Sequence, residues 1–155
     1  MNRRAQSEMA GFAIIIIIVA VLILVFLSFS VKKDSGDVTE SAEAENFVRA
    51  ILQFTTDCEY RGHFLDYLDL IERCGDEGVC ADGRTACDVL DPTSEEILDG
   101  SWKVGEDEVT KGYDFSVFYE GDELVGLSKG NVTRNSFGSR QVFSGDVEIS
   151  FVEYN

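Results

Sequence analysis

Tyr113-Asp114-Phe115-Ser116-Val117-Phe118-Tyr119 alternates apolar and polar side chains, and Gly121-Asp122 separates it from a second extended run, Glu123 to Lys129. Alternation sends successive side chains to opposite faces of a pleated strand, and a Gly-Asp pair between two such runs reads as a hairpin turn. Gln141-Val142-Phe143 and Val147-Glu148-Ile149-Ser150-Phe151-Val152 repeat the pattern around Ser144-Gly145-Asp146. Four strands joined by turns predict a four-stranded antiparallel sheet, whose apolar face needs helices to cover it.

Upstream the period changes from two to that of a helix. Ala42, Ala44, Phe47, Val48, Ile51, Leu52 and Thr55 form one stripe, predicting a helix over Glu40 to Thr56 with Glu40, Glu43 and Glu45 in its first turns, where acids complement the helix dipole. Phe64, Tyr67, Leu68, Ile71 and Cys74 predict a second, short amphipathic helix. Arg84 to Leu90 reads as a third, cysteine-bearing helical turn. Asp91-Pro92-Thr93-Ser94-Glu95-Glu96 reads as the start of a fourth, running to about Trp102, with proline in the first turn and acids behind it. The expectation for residues 34–155 is one small α+β domain.

Cys58, Cys74, Cys80 and Cys87 are the only cysteines, and all fall in one short stretch. There is no Cys-x-x-Cys pair, and the single histidine, His63, has no second histidine to complete a zinc site. An even, clustered set without metal spacing predicts two disulfides formed in an oxidising compartment. Three pairings are open. A helix from Phe64 to Cys74 advances the chain roughly 15 Å, whereas bridged Cα atoms lie within about 7 Å, so Cys58–Cys74 is disfavoured. Of the rest, Cys74–Cys80 with Cys58–Cys87 is the expected arrangement.

Met9 to Val31 carries no charge over 23 residues and is apolar on every face. As a helix it would span roughly 34 Å, enough for a hydrocarbon core of about 30 Å. The expectation is a long N-terminal transmembrane helix over residues 6–33, with the lipid bilayer as partner. Arg3 and Arg4 before the run nearly balance Lys32 and Lys33 after it, so flanking charge barely sets the orientation. The disulfides set it: a single-pass cell-membrane protein with a cytoplasmic N-terminus and an extracellular domain at 34–155.

Arg3-Arg4-Ala5-Gln6-Ser7-Glu8 places a short basic leader and a polar segment directly ahead of Met9-Ala10-Gly11-Phe12 and the Ile/Val-rich run. This region resembles the class III signal region of archaeal type IV pilin-like proteins. The resemblance implies that residues 1–5 are a leader and that a prepilin peptidase cuts between Ala5 and Gln6. It further implies that residues 6–33 are retained as the polymerising helix. The implied function is that of a major or minor pilin in a type IV pilus-like surface filament, a homo-oligomer or a hetero-oligomer of pilins. Two roles are open for Glu8: pairing in the assembly with the free amine of a cleaved chain, or a position at the headgroup level. An uncleaved single-pass anchor carrying a binding ectodomain is the alternative to the filament.

No catalytic constellation accompanies His63, so an enzyme is not expected, nor a cofactor. The acids are scattered rather than spaced as a calcium loop, and Asp76-Glu77 and Glu106-Asp107-Glu108 read as solvated surface, so no metal site is expected. Residues 34–155 hold 28 Asp and Glu against 9 Lys and Arg, a net charge of −19 that disfavours nucleic acid. Asn131-Val132-Thr133 is an acceptor triplet for N-glycosylation, placed between strands.

Overall fold

The computed structural model describes residues 15–23 and 39–155. The chain divides into two units, Met1–Gly36 and Asp37–Asn155. In the first, residues 15–23 form helix α1, whose isoleucine, valine and leucine side chains are all exposed. Nine residues rise about 14 Å, less than half of the roughly 30 Å that a membrane crossing requires. No helix among the described residues is long and apolar enough to cross a membrane. That finding overturns the long transmembrane helix over residues 6–33, and with it the single-pass topology. The expectation rested on the full apolar run, and the rest of that run lies outside the described residues.

The second unit is built on a five-stranded sheet rather than a four-stranded one. Its strands are β1 (Thr39–Glu40), β4 (Gly112–Tyr119), β5 (Asp122–Gly130), β6 (Ser136–Val142) and β7 (Val147–Tyr154), in the order β1-β6-β7-β4-β5. The last four pair antiparallel, and β1 adds a two-residue parallel edge on β6. A separate antiparallel ribbon joins β2 (Thr55–Tyr60) and β3 (His63–Asp66). Both β2–β3 and β4–β5 turn through two residues with positive φ, Arg61-Gly62 and Glu120-Gly121. Such a turn matches the strands' right-handed twist and demands a residue that tolerates φ > 0, which glycine supplies. The β6 strand begins at Ser136, well before the expected Gln141. Phe143 stands beyond its end, donating its N–H to the Val147 carbonyl at 2.8 Å.

Helix α2 (Ala42–Ile51) packs on β6 and β7, while α3 (Tyr67–Gly75) and α4 (Ala86–Ser101) pack on each other. Ser41 caps α2, its side chain accepting from the Ala44 N–H. The helix ends five residues before the expected Thr56, because Thr55 and Thr56 enter β2. There the Thr56 hydroxyl donates to the Leu65 carbonyl at 2.9 Å, and β-branched side chains favour a strand. Phe64 likewise belongs to β3, since Asp66 caps α3 by accepting from the Asp69 N–H at 2.9 Å. The expected third and fourth helices are one. Thr85 caps α4, and Pro92 lies within it. Pro92 and Asp88, whose carbonyl loses its helical donor, both lie on the exposed side of the helix, where the lost bond costs least. Val89, Leu90, Thr93, Ser94 and Leu98 meanwhile continue one buried face past the proline.

The core lies between these helices and the inward face of the sheet, where Phe115, Val117, Ile149 and Phe151 meet Val48, Tyr67, Leu70, Ile71 and Leu98. Tyr67 and Ser94 share a buried hydrogen bond of 2.5 Å, so the one polar atom of that large ring is satisfied. Burial pushes the Tyr67 phenol well above its ordinary pKa. Two disulfides are present, but as Cys58–Cys80 and Cys74–Cys87. The expected Cys74–Cys80 and Cys58–Cys87 pairing is therefore corrected. It treated Cys74 and Cys80 as the ends of an isolated loop, whereas α3 and α4 pack side by side and bring Cys74 to Cys87.

Candidate functional site

A groove of about 610 Å³ opens where α2, the end of α4, the 105–110 loop and the end of β7 converge. Period two along β7 decides one wall. Val147, Ile149, Phe151 and Glu153 all face inward, so the strand's last inward position carries a carboxylate instead of a hydrocarbon. Glu153 is only 6% exposed. In register it stands opposite Phe137 of β6 and Tyr113 of β4. Burial, and then the negative charge of Glu43 in the first turn of α2, raise its pKa above the ordinary glutamate value.

Trp102 follows α4 directly, and its backbone N–H donates to the Leu98 carbonyl at 2.8 Å. Its ring lies 5.6 Å from Phe47, edge to face, and 4.8 Å from Phe151. The indole Nε1 is buried and has no hydrogen-bond partner among the described residues, and neither has Oδ1 of Asn155, which also lines the groove. Asn155 is itself held in place, its N–H donating to the Asn135 carbonyl at 3.0 Å and its backbone oxygen accepting from the Thr133 hydroxyl at 2.9 Å. Lys111, which lines a neighbouring groove, donates from Nζ to the carbonyls of Glu106 and Glu108, gathering the 105–110 loop. Val109 on that loop is 80% exposed.

Ala5, Gln6 and Glu8 lie outside the described residues. Cys58, Cys74, Cys80 and Cys87 are structural, all four consumed in disulfides. Asn131 is exposed just after β5, its N–H donating to the Lys111 carbonyl at 2.9 Å, and it borders a different groove. His63 is exposed on β3, remote in sequence from every residue of the Trp102 groove. Among the described residues, no group of three or more His, Cys, Asp and Glu side chains stands close enough to hold a metal ion. The groove's own residues escaped the sequence. One signal was available for Glu153: the alternation of β7, carried one step past Val152, places it inward.

Chemically the groove combines a largely buried carboxylate with an indole donor and an amide acceptor that lack partners among the described residues, beside the aromatic rings of Phe47 and Trp102. Compared with protein-family models, with curated proteins and with solved structures, the chain matches none.

Proposed function

We propose that this chain is a subunit, major or minor, of an archaeal type IV pilus-like surface filament. A prepilin peptidase would release it from its leader between Ala5 and Gln6. Copies of itself or other pilins would then be its assembly partners. The observation that carries this reading is α1, which is apolar on every side and exposed, downstream of Arg3-Arg4-Ala5-Gln6-Ser7-Glu8. Exposed apolar surface of this kind calls for a covering partner, and a bundle of identical helices supplies one. Glu8 would then face the new amine of Gln6 in a neighbouring copy. A compact, doubly disulfide-bonded second unit suits a role on the filament exterior, where small domains rely on such cross-links. The role is structural and non-enzymatic.

N-terminal sequencing of the protein purified from its own cells tests the cleavage. A chain starting at Gln6 is expected, and one starting at Met1 or Asn2 would overturn it. Electron microscopy of cells lacking the protein tests the assembly, with loss or shortening of surface filaments as the expected result. A binding protein that does not polymerise is the second reading, and the Trp102 groove favours it.

A further inference from the structure

The groove at Trp102 assigns this domain a ligand class of its own, independent of whether the chain polymerises. We propose that it binds a peptide segment presenting an arginine or lysine side chain, with the cationic head between Glu153 and Glu43.

Four observations carry this. Glu153 is more than nine-tenths buried, yet it is absent from the ion pairs and side-chain hydrogen bonds found among the described residues. Its carboxylate oxygens stay open to the groove, so an incoming cation can reach them and pair with a charge that burial disfavours. Glu43 and Glu153 both line this groove, so two carboxylates border the same space. The floor of Phe47 and Trp102 is aromatic, which suits both the methylene stem of a basic side chain and its charged end. Finally, the unpartnered groups include both an acceptor, Asn155 Oδ1, and a donor, Trp102 Nε1.

The last point separates a peptide from a simple amine. A free amine or guanidine offers donors only, so it can serve the carboxylates and Asn155 but leaves the indole N–H unmatched. A peptide adds a backbone carbonyl, which accepts from Trp102 Nε1. Guanidinium fits better than ammonium, because its planar fork of five donors can reach several acceptors at once. The groove's other charged side chains are Lys103 and Glu108. Lys103 is exposed and forms no ion pair among the described residues, so neither glutamate is already neutralised by it.

Trp102 is the only tryptophan in the chain, so its indole gives a single cross-peak in a proton–nitrogen correlation spectrum. The full-length ¹⁵N-labelled chain, kept in a mild detergent because of α1, is titrated with three probes. These are n-butylguanidinium, neutral n-butylurea, and the blocked tripeptide acetyl-Gly-Arg-Gly-amide. The cation should move the indole peak saturably, and the urea should not. The tripeptide should bind about tenfold tighter than n-butylguanidinium, the increment of one well-placed hydrogen bond to a buried group. Glu153→Gln should weaken both cationic probes about tenfold or more, with the remaining amide peaks in place. A second variant, Glu43→Gln, should weaken them less, because Glu43 is exposed. An equal response to the urea, or full binding by Glu153→Gln, would overturn the site. Equal affinity for the tripeptide and n-butylguanidinium would overturn the peptide as the ligand.

Discussion

Phe47 of α2 rests on Phe151 of β7 with ring centroids 5.0 Å apart and ring planes inclined at 52°. This contact joins the helix to the sheet. Phe151 is the fully buried partner, packed also against Trp102 and Tyr113, while Phe47 is half-buried at the groove edge. Truncating a buried phenylalanine removes its transfer free energy and leaves a cavity. Phe151→Ala should therefore lower unfolding stability by about 3–5 kcal/mol. Phe47→Ala should cost clearly less. Urea unfolding followed by Trp102 fluorescence measures both, and equal losses would contradict the assignment of Phe151 as the central residue.

The bridges Cys58–Cys80 and Cys74–Cys87 interleave along the chain, with sequence separations of 22 and 13. Chain entropy assigns about 3 kcal/mol to each loop, and their lengths differ too little to rank them. The double variants Cys58→Ser/Cys80→Ser and Cys74→Ser/Cys87→Ser should thus lose similar amounts of stability. Differential scanning calorimetry under non-reducing conditions reads the loss. Peptide mapping checks the connectivity, where a peptide joining Cys58 to Cys87 would falsify the pairing.

How far the sequence disclosed this fold depends on whether each signal was local. The strands β4, β5 and β7 were legible because alternation is written into each strand, and the β4–β5 turn was misplaced by only one residue. The β1 edge was not legible, since two residues carry no periodicity and pair with β6 through tertiary contact alone. Thr55 fitted the helical stripe, and the hydrogen bond of Thr56 to Leu65 shows that both threonines lie on the strand side of the boundary. Pro92 is a strong local stop signal, overridden here by one buried face that continues through it. The groove is the clearest case. Trp102 was visible as a lone tryptophan, but its unpartnered indole exists only where α4, α2 and β7 meet.

Two glycines should respond in opposite directions to the same substitution. A Cβ at Gly75, the last residue of α3, would overlap the Tyr119 ring, so Gly75→Ala should destabilise by about 1–3 kcal/mol. A Cβ at Gly100, near the end of α4, meets nothing within 4 Å, and its φ is not positive. Gly100→Ala should stabilise by about 0.5–1 kcal/mol through helix propensity and a less flexible unfolded chain. Thermal unfolding of the two variants beside the parent distinguishes packing at Gly75 from a general intolerance of alanine.

Glu153 links stability to pH in a direction opposite to that of a paired carboxylate. Burial first, and Glu43 second, hold its folded pKa above the ordinary glutamate value of 4.5. A raised acid binds its proton more tightly in the folded state. Its stabilising contribution is then fully present below about pH 4.5 and is lost as pH rises through the folded pKa. Asp69 and Asp91 are raised as well, each by burial first, so they act in the same sense. Glu153→Gln fixes a neutral side chain of nearly the same shape at that position. The variant should be more stable than the parent at pH 7, and the advantage should shrink on acidification and vanish below about pH 4.5. Urea unfolding at half-unit pH steps from 3.5 to 7 would trace this, taking steps from about 4 to 7 as decisive. A gain that did not change with pH would mean that the folded and unfolded pKa of Glu153 coincide, so that burial does not disfavour its charge. A loss at pH 7 would mean that its charge is satisfied there, and either result would remove the unpaired carboxylate on which cation binding depends.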